Sequence, residues 1–306
     1  MQGTTIRPLT IDDASALAEL IAATYPKMWV TAAGMRTWMA TTPERARHRR
    51  WAIEDSGALV GWANAGLNPE TTKRDAATAG VMVHPTRRKE GLGTSLWNEV
   101  EAHLRTLDAR HVTTMGAESA DSRGFMAARG FDVTFVDRTS GLDPRTLPEP
   151  TAPPVGVELR RFAEIDDPRV VFELDAEAVR DIPTDQPWDA IRFDEWIERT
   201  WRYPNTDQDA SLVAFVDGEP AGFTILLIDT EKHLAASAMT GVSPRFRGRG
   251  LSELLKRHAL ACATAKGVTM ALTDNDESNA PMLAVNDKLG YEPVATRLVF
   301  SRRSEP

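Results

Sequence analysis

The chain has 306 residues, 36 basic and 44 acidic, for a formal net charge of −8. Its acidic balance argues against a broad nucleic-acid surface and suits a cationic substrate, and no apolar run reaches the ~18 residues that span a bilayer. With a single cysteine, Cys262, and no apolar leader after Met1, the reading is a cytoplasmic, disulfide-free protein.

In chain order, Thr5 to Asp13 reads as a short strand leading into an acidic, capping entry to a helix. Trp51-Ala-Ile-Glu-Asp-Ser-Gly57-Ala-Leu-Val-Gly61-Trp reads as a hairpin. Val83-His-Pro-Thr-Arg-Arg88-Lys89-Glu-Gly91-Leu92-Gly93-Thr94 follows: a strand end, a basic glycine turn and a helix start. Helix to about Leu107, strand from His111 to Met115, helix ending at Arg129-Gly130-Phe131 and strand from Val133 to Arg138 complete the half. Residues 141 to 156 carry five prolines and no periodicity, and read as an extended linker between domains 1–140 and 157–306.

The second half repeats this order. Glu158 to Asp166 gives the strand and helix entry, and the Gly218/Gly222 hairpin has the same four-residue glycine spacing as Gly57/Gly61. Val242-Ser-Pro-Arg-Phe-Arg247-Gly248-Arg249-Gly250-Leu251-Ser252 matches the first turn without a gap at an offset of 159 residues, 83 to 242. Arg245-x-x-Gly248-x-Gly250 also fits the pattern, and the Val–Pro spacing favours Arg247. Free N–H groups at a helix start, where the dipole is positive, make a pyrophosphate cradle. Trp188, Trp196 and Trp201 read as packing residues rather than a substrate cage.

The V-x-P-x-x-R-x-x-G-x-G/A stretch, present twice, resembles that of the GCN5-related N-acetyltransferase (GNAT) family. So does the ending Thr273-Asp-Asn-Asp-Glu-Ser-Asn279 … Asn286-Asp-Lys-Leu-Gly290-Tyr291. The resemblance covers nearly the whole chain. It implies an α+β fold of two tandem GNAT domains, each a mixed, mostly antiparallel sheet with flanking helices. It further implies acetyl transfer from acetyl-CoA to a primary amine of a small molecule or peptide, with no metal, membrane or nucleic-acid partner.

By the same resemblance, Val242, Arg247 to Ser252 and Asn279 would hold the coenzyme, as would Val83, Arg88, Lys89 and Gly91 to Thr94 if the first half binds it. A backbone N–H of the strand near Val242 would take the thioester oxyanion. Many relatives have a tyrosine acid where Asn286 stands; Met126 occupies that place in the first half. The attacking amine must lose a proton, and Glu231 and His233 are the nearest bases in chain order. Asp181, on the loop where relatives hold substrate, is a candidate for a cationic amine. Ser119 in place of Asn279 and Glu90 in place of Arg249 mark the first half as degenerate and the second as catalytic. The rival reading is a non-catalytic acyl-CoA-binding scaffold.

Overall fold

The computed structural model describes residues 4–304. The first half runs β1 (Thr5–Pro8), α1 (Ala14–Thr24), α2 (Ala32–Thr41), β2 (Arg49–Asp55), β3 (Ala58–Leu67), β4 (Ala76–Val83), α3 (Leu92–Thr106), β5 (His111–Ala117), α4 (Ala120–Ala127) and β6 (Asp132–Leu142). The second runs β7 (Val157–Arg161), α5 (Arg169–Ala178), α6 (Phe193–Trp196), β8 (Leu212–Val216), β9 (Glu219–Asp229), β10 (Leu234–Val242), α7 (Leu251–Ala265), β11 (Met270–Asp276), α8 (Ala280–Leu289) and β12 (Glu292–Arg303).

The chain forms two compact units, one of residues 1–136, 185–191 and 296–306, the other of 137–184 and 192–295. This corrects a contiguous division at 140. Unit 1 orders its strands β1-β2-β3-β4-β5-β12, and unit 2 orders them β6-β11-β10-β9-β8-β7. Arg297 to Arg303 of β12 pair antiparallel with β5, and Asp137 to Leu142 of β6 pair antiparallel with β11, so each half of the sequence supplies the last strand of the other half's sheet. Leu298 and Phe300 lie in the unit 1 core and Leu142 in that of unit 2. Residues 185–191 join unit 1 because buried Gln186 donates from Nε2 to the carbonyls of Ala77 and His111. The proline-rich stretch accordingly begins later than 141: Gly141 and Leu142 are buried strand residues, and Leu147 packs on the unit 2 core.

Each sheet has one parallel pair, and that pair positions the site. β4 meets β5 only over Ala76–Thr78, and β10 meets β11 only over Leu234–Ser237. Beyond those residues the two strands of each pair part, while β5 stays paired on its other edge with β12 as far as Ala117, and β11 with β6 as far as Asp276. α3 packs in the unit 1 core through Leu96, Trp97, Val100 and Leu104, and α7 in the unit 2 core through Leu255, Ala259, Leu260 and Ala263. This is the helical stripe expected of an amphipathic helix on a sheet. Two of the three tryptophans expected to pack do so in unit 2: Trp201 stacks on Phe162 at 4.7 Å, and Trp196 is buried with its indole N–H on Asp175; Trp188 is half-buried in the segment that joins unit 1.

Candidate active site

The turn between β10 and α7 is built by two left-handed glycines, Gly248 (φ 76°) and Gly250 (φ 75°). A Cβ at either would meet nothing within 4 Å, so the glycines serve backbone conformation and leave open space above the turn. Arg247 to Gly250 are exposed. Leu251 begins α7 with its side chain buried in a cluster with Phe246, and Ser252 follows it. The N–H groups of this first helical turn have no intrahelical partner, and the positive end of the helix faces the same opening.

Arg247 has a second task. Its Nε donates to the carbonyl of Val242 at 3.0 Å and its guanidinium pairs with the Asp181 carboxylate. Arg88 reaches the Val83 carbonyl in the same way at 3.4 Å. The arginine is therefore a latch between strand end and turn as well as a cation at the candidate anion site, and Asp181 is placed at that turn, occupied by Arg247. Arg249 pairs with no carboxylate among the described residues and lies 5.4 Å from the Phe246 ring centre.

Below the turn, β10 carries a bulge. Ser237 pairs with Leu226 and Met239 with Ile225, which leaves Ala238 without a partner on β9. Ala238 is exposed although β10 is an interior strand. A bulge frees backbone groups and re-aims them, here at the point where β10 and β11 separate. This stands closer to the strand's parting than Val242, which is paired with Gly222 and whose carbonyl is taken by Arg247.

Two of the candidate residues fall elsewhere. Glu231 and His233 lie in the turn before β10, at the opposite end of the strand from the glycine turn, and His233 Nδ1 is 3.0 Å from the Gly267 carbonyl. Nearness in sequence misled because a strand carries its two ends apart at ~3.3 Å per residue. Asn279 caps α8, its Oδ1 accepting from the Met282 N–H, and Ser119 caps α4 by the same bond to Ser122. The two residues thus share a structural role, and the exchange does not separate the halves. Asn286 is buried, donates from Nδ2 to Asn275 Oδ1 at 2.7 Å, and leaves its own Oδ1 without a partner.

Unit 1 keeps the backbone of the turn, with the same open space above Gly91 as above Gly250, and differs in the side chains and strand around it. Lys89 (φ 68°) and Gly91 (φ 83°) take the places of Gly248 and Gly250. Its β3–β4 ladder runs unbroken from Leu67/Ala77 to Gly61/Val83, and Ala79, the counterpart of Ala238, is 8% exposed. Lys89 pairs with Asp121 of α4 at 2.6 Å, and Arg129 donates to Thr94 of α3 while its guanidinium lies over Phe125. Glu90 is held by Arg87 at 2.9 Å, and that bond draws its carboxyl below the usual range.

Sequence reasoning missed three residues of unit 2: Ser237, Lys256 and Tyr291. Lys256 and Tyr291 are buried, with Lys256 Nζ 3.4 Å from Ser237 Oγ and 5.1 Å from the Tyr291 ring centre. A lysine inside the apolar stripe Leu251, Leu255, Ala259 was the available signal.

Among known proteins, the model of the acetyltransferase (GNAT) family matches residues 14–131 and 172–291. Curated relatives include a mycothiol acetyltransferase from Saccharomonospora viridis, 26% identical over 80% of each chain. Another from Streptomyces bingchenggensis is 28% identical over 84% of this chain and 82% of its own. Among solved structures, a GCN5-related N-acetyltransferase from Sphaerobacter thermophilus superposes with TM-score 0.73 at 20% identity, covering 100% of this chain and 97% of its own. A tandem GNAT protein from the clavulanic acid biosynthesis pathway gives the same score at 23% identity over 99% of both chains.

Proposed function

The chain belongs to the GNAT acetyltransferase family, a tandem N-acetyltransferase of α+β fold, and on that premise we propose that unit 2 moves an acetyl group from acetyl-CoA to a primary amine by direct attack. One observation carries the reading: in unit 2 an accessible strand bulge and an open, left-handed glycine turn at a helix start bound the same parting of β10 and β11.

In this reading the pyrophosphate lies on the N–H groups from Gly248 to Ser252, beside Arg247 and Arg249. The pantetheine arm runs in the gap between β10 and β11, pairing with free strand groups as an added strand would. An N–H of the bulge at Ala238 and Met239 receives the thioester oxygen as it gains charge. The amine, having lost its ammonium proton to solvent, attacks as the free base; the C–N bond forms, the C–S bond breaks, the coenzyme leaves as a thiolate, and the nitrogen gives up its extra proton to water to leave the neutral amide. Asn286 can hydrogen-bond in this region, but an amide delivers no proton, so the thiolate (pKa ~8.5) is protonated from water. Neither Glu231 nor His233 has a part.

Unit 1 does not turn over in this reading, since its β4 ladder is unbroken and its turn is tied to α4 by Lys89–Asp121 and Thr94–Arg129. The acceptor to try first is the one the relatives' name gives, a small-molecule amine of mycothiol chemistry.

The test is thiol release from acetyl-CoA with a panel of amines including that acceptor, alongside a thermal melt. Acetyl-CoA at ~100 times its Kd should stabilise the chain by about 2.7 kcal/mol. A melt unmoved by millimolar acetyl-CoA would overturn the reading. Stabilisation without thiol release from any amine would favour the scaffold.

A further inference from the structure

The offset of 159 residues places Lys256 where unit 1 has Trp97, and Tyr291 follows the second helix glycine as Phe131 does. Trp97 packs edge-on to Phe131 at 5.5 Å and donates its indole N–H to Glu101. The same core place in unit 2 holds an amine and a phenol. Lys256 is 2% exposed and Tyr291 4%. An apolar pair evidently fills this place in the fold, so packing does not require the amine.

That amine donates to the Ser237 hydroxyl. Ser237 is also the last residue of β10 paired with β11 and the first flank of the bulge. Lys256 Nζ therefore sits at the apex of the opening, tied to the residue at which the strand changes register. The groups around it offer no counter-charge. β10 presents the Ser237 hydroxyl, and Tyr291 presents its ring, its buried hydroxyl without a partner. On α8, the buried Asn286 amide bonds Asn275 of β11. On α7 itself, Glu253 is engaged by Arg257 at 3.0 Å and Lys288 at 3.9 Å. An ammonium has three donors to satisfy, and among the described residues Lys256 Nζ meets one acceptor, Ser237 Oγ. Burial alone pulls the Lys256 amine down to about 7, and its burial pushes the Tyr291 phenol up, so above neutrality both groups are uncharged.

Resting on the acetyl-transfer reading above, we propose that Lys256 is a positioning residue: its uncharged amine, acting through Ser237, holds the β10 bulge in the form that presents a backbone N–H to the thioester oxygen. Protonation places an uncompensated charge in the core, favours states in which the ammonium leaves Ser237 for water, and lowers turnover on the acid side of neutrality. The amine itself need not touch substrate.

Two measurements on the full chain test this, with Lys256→Met, Ser237→Ala and the double variant. The first is amide hydrogen exchange at Ala238 and Met239 without ligand, at pH 8. The expectation is faster exchange, by about tenfold, in both single variants and no further gain in the double. Wild-type exchange in Lys256→Met and Ser237→Ala would overturn the proposal, whatever the donor substrate proves to be. The second is kcat and KM against pH. In Lys256→Met, kcat should fall about tenfold with KM for acetyl-CoA within about threefold, and the acid limb near pH 7 should vanish. Unchanged kcat with the acid limb intact would overturn it. Ser237→Ala, a small change at a half-buried site, keeps both readouts available should Lys256→Met fold poorly. Loosened exchange in a wild-type chain that neither binds nor consumes acetyl-CoA would sink the transferase reading instead.

Discussion

The two units share a backbone plan and differ in what surrounds its opening. In unit 1 the strand beneath the turn is regular, Ala79 is buried, the turn is laced to α4, and Trp97, Met126 and Phe131 form an apolar floor. In unit 2 the strand bulges at exposed Ala238, the turn is open above two glycines, and Lys256, Asn286 and Tyr291 put polar groups in the corresponding places. Buried polar groups cost stability where packing can do without them. Unit 1 shows that packing can, and the polar floor of unit 2 is therefore among the observations behind the proposal that places the chemistry there.

The largest expected effect tests the openings. Gly250→Glu places a side chain and a negative charge over the turn, and thiol release should fall at least ~100-fold. Forcing a non-glycine residue to φ 75° costs about 1–2 kcal/mol and creates no clash, so a circular dichroism melt should stay cooperative. Gly91→Glu makes the same change in unit 1 and should leave turnover within about twofold. A reversed pattern would assign the catalytic unit the other way.

Exchanging the floors comes next. Trp97→Lys leaves unit 1 with a buried amine facing Phe131 and should lose about 3–5 kcal/mol in urea unfolding. Lys256→Met should not lose stability near pH 7. The sign follows from linkage. Folding lowers the Lys256 pKa from 10.5 to about 7, so between those values the unfolded chain holds the extra proton and wild-type stability rises with pH. Relative to Lys256→Met, the wild type should gain roughly 1.4 kcal/mol per pH unit between pH 8 and 9.5. Parallel curves for the two proteins would mean that the amine is hydrated.

The caps sharpen the comparison by being equal. Asn279→Ala and Ser119→Ala each remove a side-chain cap and should each cost about 1 kcal/mol. A far larger loss of acetyl-CoA affinity in Asn279→Ala would give that residue a ligand role beyond capping. Smallest of all, Glu231→Gln should leave kcat within about twofold, since it lies beyond the far end of β10.

Much of this was legible in the sequence because it is local. Strand, turn and helix alternate on patterns a few residues long, and the repeat from 83 to 242 located both turns and both hairpins. The strand exchange was not legible. Val133 to Arg138 and its repeat at the end of the second half read as strands, but which sheet edge each completes is a choice between distant partners. Glu231 and His233 were picked by chain order, which a strand's length defeats. Ala238 was invisible because a bulge is a property of two strands together. Lys256 was present in the alignment opposite Trp97, but its meaning depends on burial, which a charged letter in a helix does not reveal.

Calorimetric titration of the intact chain with acetyl-CoA tests the central claim most directly, because it counts openings rather than inferring them from rate. The expected result is one site per chain in the wild type, one in Gly91→Glu and none in Gly250→Glu. One site retained in Gly250→Glu and lost in Gly91→Glu would contradict the assignment of the coenzyme to unit 2.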